Sequence, residues 1–451
     1  MADVKTDGTG AHETKLKRTV GVWLLFFFIV GDTLGAGIYT LIGTMAADVG
    51  GMLWLPLLIA LVLALLTAGT YAEMITKYPH AGGAARYVQR AFHKPYLTFV
   101  IGFLMLSSGI TTSALLANAF AGDYLSALVD WPSAPVTIVF LCLLIAINLR
   151  GVRESLSANV VATIIETSGL VLVIIVAAIV FGSGDGDPSR ILTPSPDQPI
   201  LVGAFAASVV AFFSFLGFEA AANMAEEVKD PTHSYPRALF GAIGTAGVIY
   251  LLIALGSAIV VDPNIMAEST GPLLEVINAS NIAIPSWLFS TIALIAIANG
   301  ALLFMVMASR ATYGLAEAGL LPSIFGQVAP TRRTPWVAII VVGLATIAMS
   351  FVGSIGLLAD TTVLLLVWVF IFTNISCIVL RNDIPEHKYF KVPRWVPYVA
   401  IVCSFILLSQ QTLQIWLIGL GYLAVGSVLF LIARYGKKQL DSEDLDELDL
   451  G

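Results

Sequence analysis

The sequence predicts an all-α integral membrane protein of twelve transmembrane helices, arranged as two inverted five-helix halves with two additional C-terminal helices. Three observations predict it. Apolar residues make up 58% of the chain and charged residues only 12%, where soluble domains carry roughly 25% charge. Apolar runs long enough to cross a hydrocarbon layer of ~30 Å recur along the whole chain. Two of those runs, the first and the sixth, are interrupted near mid-membrane by glycines and an acid.

The runs fall near 20–44, 52–76, 97–128, 135–149, 157–181, 200–225, 238–261, 284–309, 335–352, 357–380, 395–410 and 412–433. Threading the chain through them places every Lys and Arg except Arg190 on one side. The positive-inside rule assigns that side, and both termini, to the cytoplasm. A cell-membrane location follows as an expectation. The opposite loops carry Asp48, Asp123, Asp130, Asp185, Asp187, Asp197, Asp262, Glu268 and Glu275, and the segment 182–199 reads as irregular. The expected parts are a cytoplasmic tail 1–18, a ten-helix core 19–381 with repeats about 19–182 and 199–381, helices 11–12 over 395–435, and an acidic cytoplasmic tail 436–451. The run after Arg18 is too long for a cleavable signal, so the first helix is expected to remain as an anchor. Much of the net charge of −7 comes from the final acidic stretch, which reads as a solvated, disordered end.

The first run carries Gly31-Asp32-Thr33-Leu34-Gly35-Ala36-Gly37-Ile38-Tyr39. At 1.5 Å per residue from Arg18, Asp32 lies ~20 Å into the layer. The sixth carries Phe212-Phe213-Ser214-Phe215-Leu216-Gly217-Phe218-Glu219. Loosened backbone in lipid is tolerated only where protein or a polar cavity satisfies it. Paired interruptions in corresponding spans of two halves point to a transporter binding site. Free N–H groups at such a break suit a carboxylate, and free carbonyls suit an ammonium or a metal cation. Gly31 and Gly35 alone also fit a helix-packing GxxxG. Gly37 and the matching sixth-run break favour binding.

Other classes are poorly served. The histidines, His12, His80, His93, His233 and His387, all fall in tails or cytoplasmic loops, without ligand or nucleophile–base spacing, so neither an enzyme nor a metal site is expected. Cys142, Cys377 and Cys403 lie in apolar runs and read as packing. A signalling transceptor would need a sizeable cytoplasmic domain, and a channel would need filter loops or charged rings. No basic tract suits nucleic acid.

Several motifs together resemble the amino acid–polyamine–organocation transporters. Gly35-Ala36-Gly37-Ile38-Tyr39 looks like that family's first-helix signature. Tyr71-Ala72-Glu73-Met74 with Pro79-His80-Ala81-Gly82-Gly83 resembles its second-helix exit. Phe213-Ser214-Phe215-Leu216-Gly217-Phe218-Glu219 and Ala225-Glu226-Glu227-Val228-Lys229-Asp230-Pro231 resemble its sixth helix, and Asn299-Gly300 with Ser309-Arg310 its eighth. The resemblance implies a LeuT-type 5+5 inverted repeat and alternating access. It implies a solute carboxylate at Gly35, Ala36 and Gly37, beside Thr33. The solute amine would meet carbonyls near Phe213, Ser214, Phe215, Leu216 and Gly217, with Phe213 as a gate. No cofactor is implied beyond a coupling ion.

Glu166 is the main departure, since some relatives place a lysine there. An intramembrane acid is expensive and marks a functional site by default. Glu166, with Asp32 and Glu219, is the candidate proton or cation site; the proton is the preferred ion and sodium the alternative. Glu166 also suits a second amine on a basic solute. Glu73 and Lys77 read as a surface ion pair or gate brace, Glu226 and Glu227 as cytoplasmic gate residues, Asp360 as an interfacial group, and Ile297 and Ala301 as cavity lining. The expected partner is a small amine-bearing solute, an amino acid first and a polyamine second. The expected activity is proton-coupled symport, with exchange as the alternative.

Overall fold

A computed structural model gives the fold, and its described residues are 20–79, 83–151, 156–196, 199–225, 227–280, 282–330, 332, 334–385 and 387–448. The chain forms α1 (Val22–Leu34), α2 (Ala36–Val49), α3 (Trp54–Lys77), α4 (Gly83–Phe92), α5 (Pro95–Phe120), α6 (Asp123–Ser126), α7 (Ser133–Arg150) and α8 (Leu156–Ser183). It continues as α9 (Ile200–Phe213), α10 (Pro231–Val260), α11 (Pro263–Glu268), α12 (Pro272–Ala279), α13 (Ser286–Glu317), α14 (Trp336–Ser350), α15 (Ile355–Val379), α16 (Val396–Ser409) and α17 (Leu413–Leu448). Proline opens α5, α10, α11 and α12, where its missing N–H costs nothing and its fixed φ suits the first turn.

Among the described residues, 9 helical stretches are long and apolar enough to cross a membrane, and α9, α14 and α16 are shorter apolar helices. The bundle has a definite inside. The stretch Pro95–Ser126 is 94% buried, against 17% for Leu413–Tyr435, so α5 is the central post and α17 lies on the outside of the bundle. The hydroxyl-rich middle of α5 is absorbed by its neighbours. Thr112 meets Thr362 of α15, Ser113 donates to the carbonyl of Ala301 on α13, and Thr111 meets the Tyr422 hydroxyl of α17. Such bonds tie helices together where burial against apolar lipid tails supplies little drive.

At the acidic end, the segment expected to be irregular holds a 3₁₀ turn, Pro188–Leu192, and straps the α2–α3 turn. Gly51 N–H donates to Thr193 O, and Trp54 Nε1 donates to Ile191 O at 2.9 Å. A Cβ on Gly51 would stand 2.0 Å from Arg190 O, so the strap requires glycine. Asp123, just beyond α5, accepts from Ser269 Oγ and from the N–H groups of Thr270 and Gly271. It thereby anchors the α11–α12 turn over α2. Asp360 is half-buried near the start of α15, within electrostatic reach of Asp48.

The basic end corrects one expectation. Glu73 and Lys77 are both buried, at 1% and 2% exposure, because the chain beyond α15 folds back over them. Lys77 Nζ donates to Leu380 O, Glu73 accepts from Val392 N at 2.9 Å, and Arg381 stands 3.6 Å from Glu73. Thr76 Oγ1 accepts from Phe390 N. Outside this seal, the Tyr78 hydroxyl and Arg90 both donate to Asp383. The Tyr78 bond first, then Arg90, hold the Asp383 carboxyl below its usual range. A depressed acid stabilises the fold above its unfolded pKa of about 3.9, and that contribution is lost only as pH falls through the folded value. The contact is therefore fully formed at neutral pH.

Nearby, Val20 pairs with the segment after the sixth run: its N–H donates to Glu227 O, and its carbonyl accepts from Lys229 N. Glu226 lies outside the described residues. The acidic C-terminal stretch, expected to be disordered, continues α17 as helix through Leu448. Its leucines and glutamates are good helix formers, and the preceding turns already supply the nucleus.

Arg381→Met would leave Glu73 with the Val392 N–H and no guanidinium. A stability loss of about 1–3 kcal/mol is expected, read as a lower unfolding midpoint of the detergent-purified protein, with Arg381→Lys losing less.

Candidate functional site

Both sequence-predicted interruptions are present, and they touch. The first is a single residue, Gly35, whose ψ of −153° takes the chain out of helix between α1 and α2. The second is longer. After α9 ends at Phe213, residues 214–217 form turns closed by i→i+3 bonds, and Gly217 adopts φ +118° before a 3₁₀ stretch, Phe218–Met224. A side chain at that φ is strained.

Glycine also decides the contact between the breaks. A Cβ on Gly217 would stand 2.7 Å from Asp32 O, and one on Gly37 would stand 3.0 Å from Ser214 Cα. The two backbones therefore approach at Asp32–Gly217 and again at Gly37–Ser214. One side chain from a third helix serves both. Tyr250, fully buried in α10, directs its hydroxyl at the carbonyls of Thr33 and Ser214, the latter at 2.9 Å. Its single proton is shared between one loosened carbonyl from each break.

Beside this contact is a cavity of about 20 Å³, room for roughly one water. The first break contributes Gly31, Asp32, Thr33, Gly35, Ala36 and Gly37, and the second Phe213, Ser214 and Leu216. Glu166 of α8, Leu116 of α5, and Gly300, Leu303 and Phe304 of α13 complete the wall. Three buried polar atoms on lining residues have no hydrogen-bond partner among the described residues: Thr33 Oγ1, Ser214 Oγ and Glu166 Oε2. Buried polar groups are nearly always paired, so three on one lining make this cavity the candidate site for a polar ligand. The other carboxylate oxygen of Glu166 accepts from Asn299 Nδ2 at 3.0 Å. The first N–H groups of α2 lack intrahelical acceptors and carry the positive end of its dipole.

The structure divides the sequence-derived candidates. Asp32, Thr33, Gly35, Ala36, Gly37, Glu166, Phe213, Ser214 and Leu216 line one cavity. Phe215, Gly217 and Glu219 do not. Phe215 packs edge-on against Tyr250, with ring centroids 5.2 Å apart. Glu219 turns away and accepts from Gly217 N–H at 2.9 Å, so it satisfies a backbone donor that the break has freed. Ile297 and Ala301 are buried but lie off the lining, which α13 supplies through Gly300, Leu303 and Phe304. Tyr250 escaped the sequence reading. Its only signal is a lone phenol halfway along a mostly apolar run, and such a hydroxyl needs a buried acceptor.

A small cavity walled by two interrupted helices, inside a bundle of membrane-length apolar helices, is the architecture of an integral membrane transporter. Comparison with known families agrees: the amino acid permease model matches residues 20–432, and the chain belongs to that family. It is 28% identical to the methylthioribose transporter of Bacillus subtilis over 96% of this chain and 97% of the relative. It is 29% identical to cationic amino acid transporter 9, chloroplastic, of Arabidopsis thaliana over 70% of this chain and 58% of the relative. A branched-chain amino acid permease of B. subtilis is 25% identical over 94% of each chain.

Tyr250→Phe should keep the ring contact with Phe215 and release both carbonyls. A stability loss of about 1–2 kcal/mol is expected, with weaker solute binding. Thermal unfolding and equilibrium binding on the same purified sample read both; unchanged binding would separate the clamp from the site.

Proposed function

We propose that the chain is a secondary active transporter that moves an amino acid across the cell membrane by alternating access, driven by proton symport through Glu166. The observation that carries this reading is Glu166, which lines the same cavity as both helix breaks and whose Oε2 has no hydrogen-bond partner among the described residues. The solute carboxylate takes the free N–H groups at Gly35, Ala36 and Gly37, and Thr33 Oγ1 and Ser214 Oγ supply further polar contacts. The solute amine takes carbonyls at the second break, with Phe213 closing over it. Leu116, Leu216, Leu303 and Phe304 make an apolar wall, which favours a neutral, apolar side chain. Glu166 loads and releases the proton, with Asp32 across the cavity.

The cavity of about 20 Å³ is too small for an amino acid. Binding must therefore part the walls, as a site that opens alternately to each side requires. In this reading α9 continues through 218–224 to complete its span, and α14 and α16 complete the twelve. Residues 19–182 and 199–381 are then the inverted repeats. The basic end faces the cytoplasm, and both termini lie there. The proton is preferred over sodium because Glu166 is held by an amide donor and α13 presents glycine and apolar groups, with no hydroxyl, to the cavity.

A second reading has a specific observation behind it. Asp32 and Glu166 both line the cavity, and among the described residues no Lys or Arg does, which suits a polyamine or a basic amino acid. The relatives named for cationic amino acids, branched-chain amino acids and methylthioribose show that similar chains carry different solutes.

Uptake of labelled leucine, arginine, putrescine and methylthioribose into proteoliposomes, with imposed pH or sodium gradients, decides among these readings. Accumulation of leucine driven by an inward proton gradient is expected. Glu166→Gln should abolish that accumulation while measurable solute counterflow persists. Gradient-driven uptake surviving in this variant would remove Glu166 from the coupling step.

A further inference from the structure

Glu166 is held at two points by different helices. Asn299 of α13 holds its carboxylate, as described. Its backbone carbonyl is held by the Tyr39 hydroxyl at 2.6 Å. Tyr39 lies one turn into α2, four residues past the Gly35 break and on the segment that opens with the cavity-lining Ala36 and Gly37. It is itself fixed firmly. Its ring packs against Tyr124 and Phe289 at centroid distances of 6.5 and 6.1 Å, and its carbonyl accepts from the Tyr124 hydroxyl at 2.7 Å.

The partner surface on α8 is cut to receive it. A Cβ on Gly169 would stand 2.4 Å from the Tyr39 hydroxyl oxygen, so glycine one turn beyond Glu166 admits the phenol. A phenylalanine would fill the same ring space against Tyr124 and Phe289. The hydroxyl is therefore not needed for packing; its described partner is the Glu166 carbonyl. One hydrogen bond thus joins the solute-facing break directly to the turn that carries the coupling carboxylate.

We propose that Tyr39 is a positioning residue for transport, linking the outer half of the first broken helix to Glu166. When solute draws the N–H groups of α2 toward itself, the Tyr39 bond carries the Glu166 turn along. The orientation of Oε2 toward the cavity then follows solute occupancy. This rests on the reading of Glu166 as the coupling acid. The ionisable groups facing Glu166 are Asp32 in the same cavity, Tyr39 itself from α2, and Tyr250 from α10. Asn299 faces it from α13 as an uncharged donor.

The test compares wild type, Tyr39→Phe, Gly169→Ala and Glu166→Gln in proteoliposomes. The solute is the amino acid of the above panel with the largest uptake. Counterflow exchange and accumulation under a fixed proton gradient are measured over a range of pH. Tyr39→Phe should exchange within about twofold of wild type but accumulate about fivefold less, the factor carried by one typical hydrogen bond. Its pH profile should shift toward that of Glu166→Gln. Gly169→Ala should give the same pattern by pushing the hydroxyl off its acceptor from the other side. Wild-type accumulation and pH profile in Tyr39→Phe would overturn the link. Parallel loss of exchange and accumulation in both variants would also overturn it, by showing a merely structural role. Should wild type ignore the proton gradient altogether, the assignment of Glu166 fails and takes this link with it, an outcome distinct from the other two.

Discussion

A hydrocarbon layer offers no water to a broken helix, and the centre of this molecule is organised around that constraint. Each interruption exposes amide and carbonyl groups whose burial without partners would cost several kcal/mol apiece. The chain meets the demand in three ways. Tyr250 serves the carbonyls of Thr33 and Ser214, Glu219 accepts from the Gly217 amide, and i→i+3 bonds close the turn from Phe213 to Leu216. The groups left over face a single cavity, and their chemistry is what a zwitterionic solute would need.

Glycine has three separate jobs here. Gly35 breaks the helix, Gly217 supplies a backbone conformation other residues resist, and Gly37 with Gly217 lets two main chains approach. The last role explains why the breaks act as one site. Two loosened segments held apart would each need their own shield from lipid; in contact they share Tyr250. Glu166 is likewise held by two helices, its carboxylate by Asn299 of α13 and its carbonyl by Tyr39 of α2.

Both faces of the bundle are sealed by loops that fold back. On the acidic end, Asp123 grips the α11–α12 turn and the 188–193 segment lies across Gly50–Gly51. On the basic end, the chain after α15 covers Glu73 and Lys77. These contacts join elements far apart in sequence by main-chain and charge-assisted bonds that can be broken and re-formed at modest cost.

The sequence by itself determined the helical class, the apolar runs, the sidedness of charge and the location of both breaks. Each of these follows from local composition: lipid demands long apolar stretches, and glycine with an acid inside one is legible without knowing its neighbours. It also singled out Glu166, since an acid within an apolar span is anomalous wherever it points. Only the tertiary structure decided where the anomalous groups point. Glu219 and Glu166 look alike in the sequence, yet one caps an amide of its own break and the other lines the cavity. Glu73 and Lys77, four residues apart on one helix, read as a surface pair or a gate brace; they are buried, and each takes a partner more than 300 residues away. The partners of Tyr250 and Tyr39 and the space beside Gly169 could not be read from the chain, because a hydroxyl's acceptor and the room beside a glycine are properties of the packed neighbour.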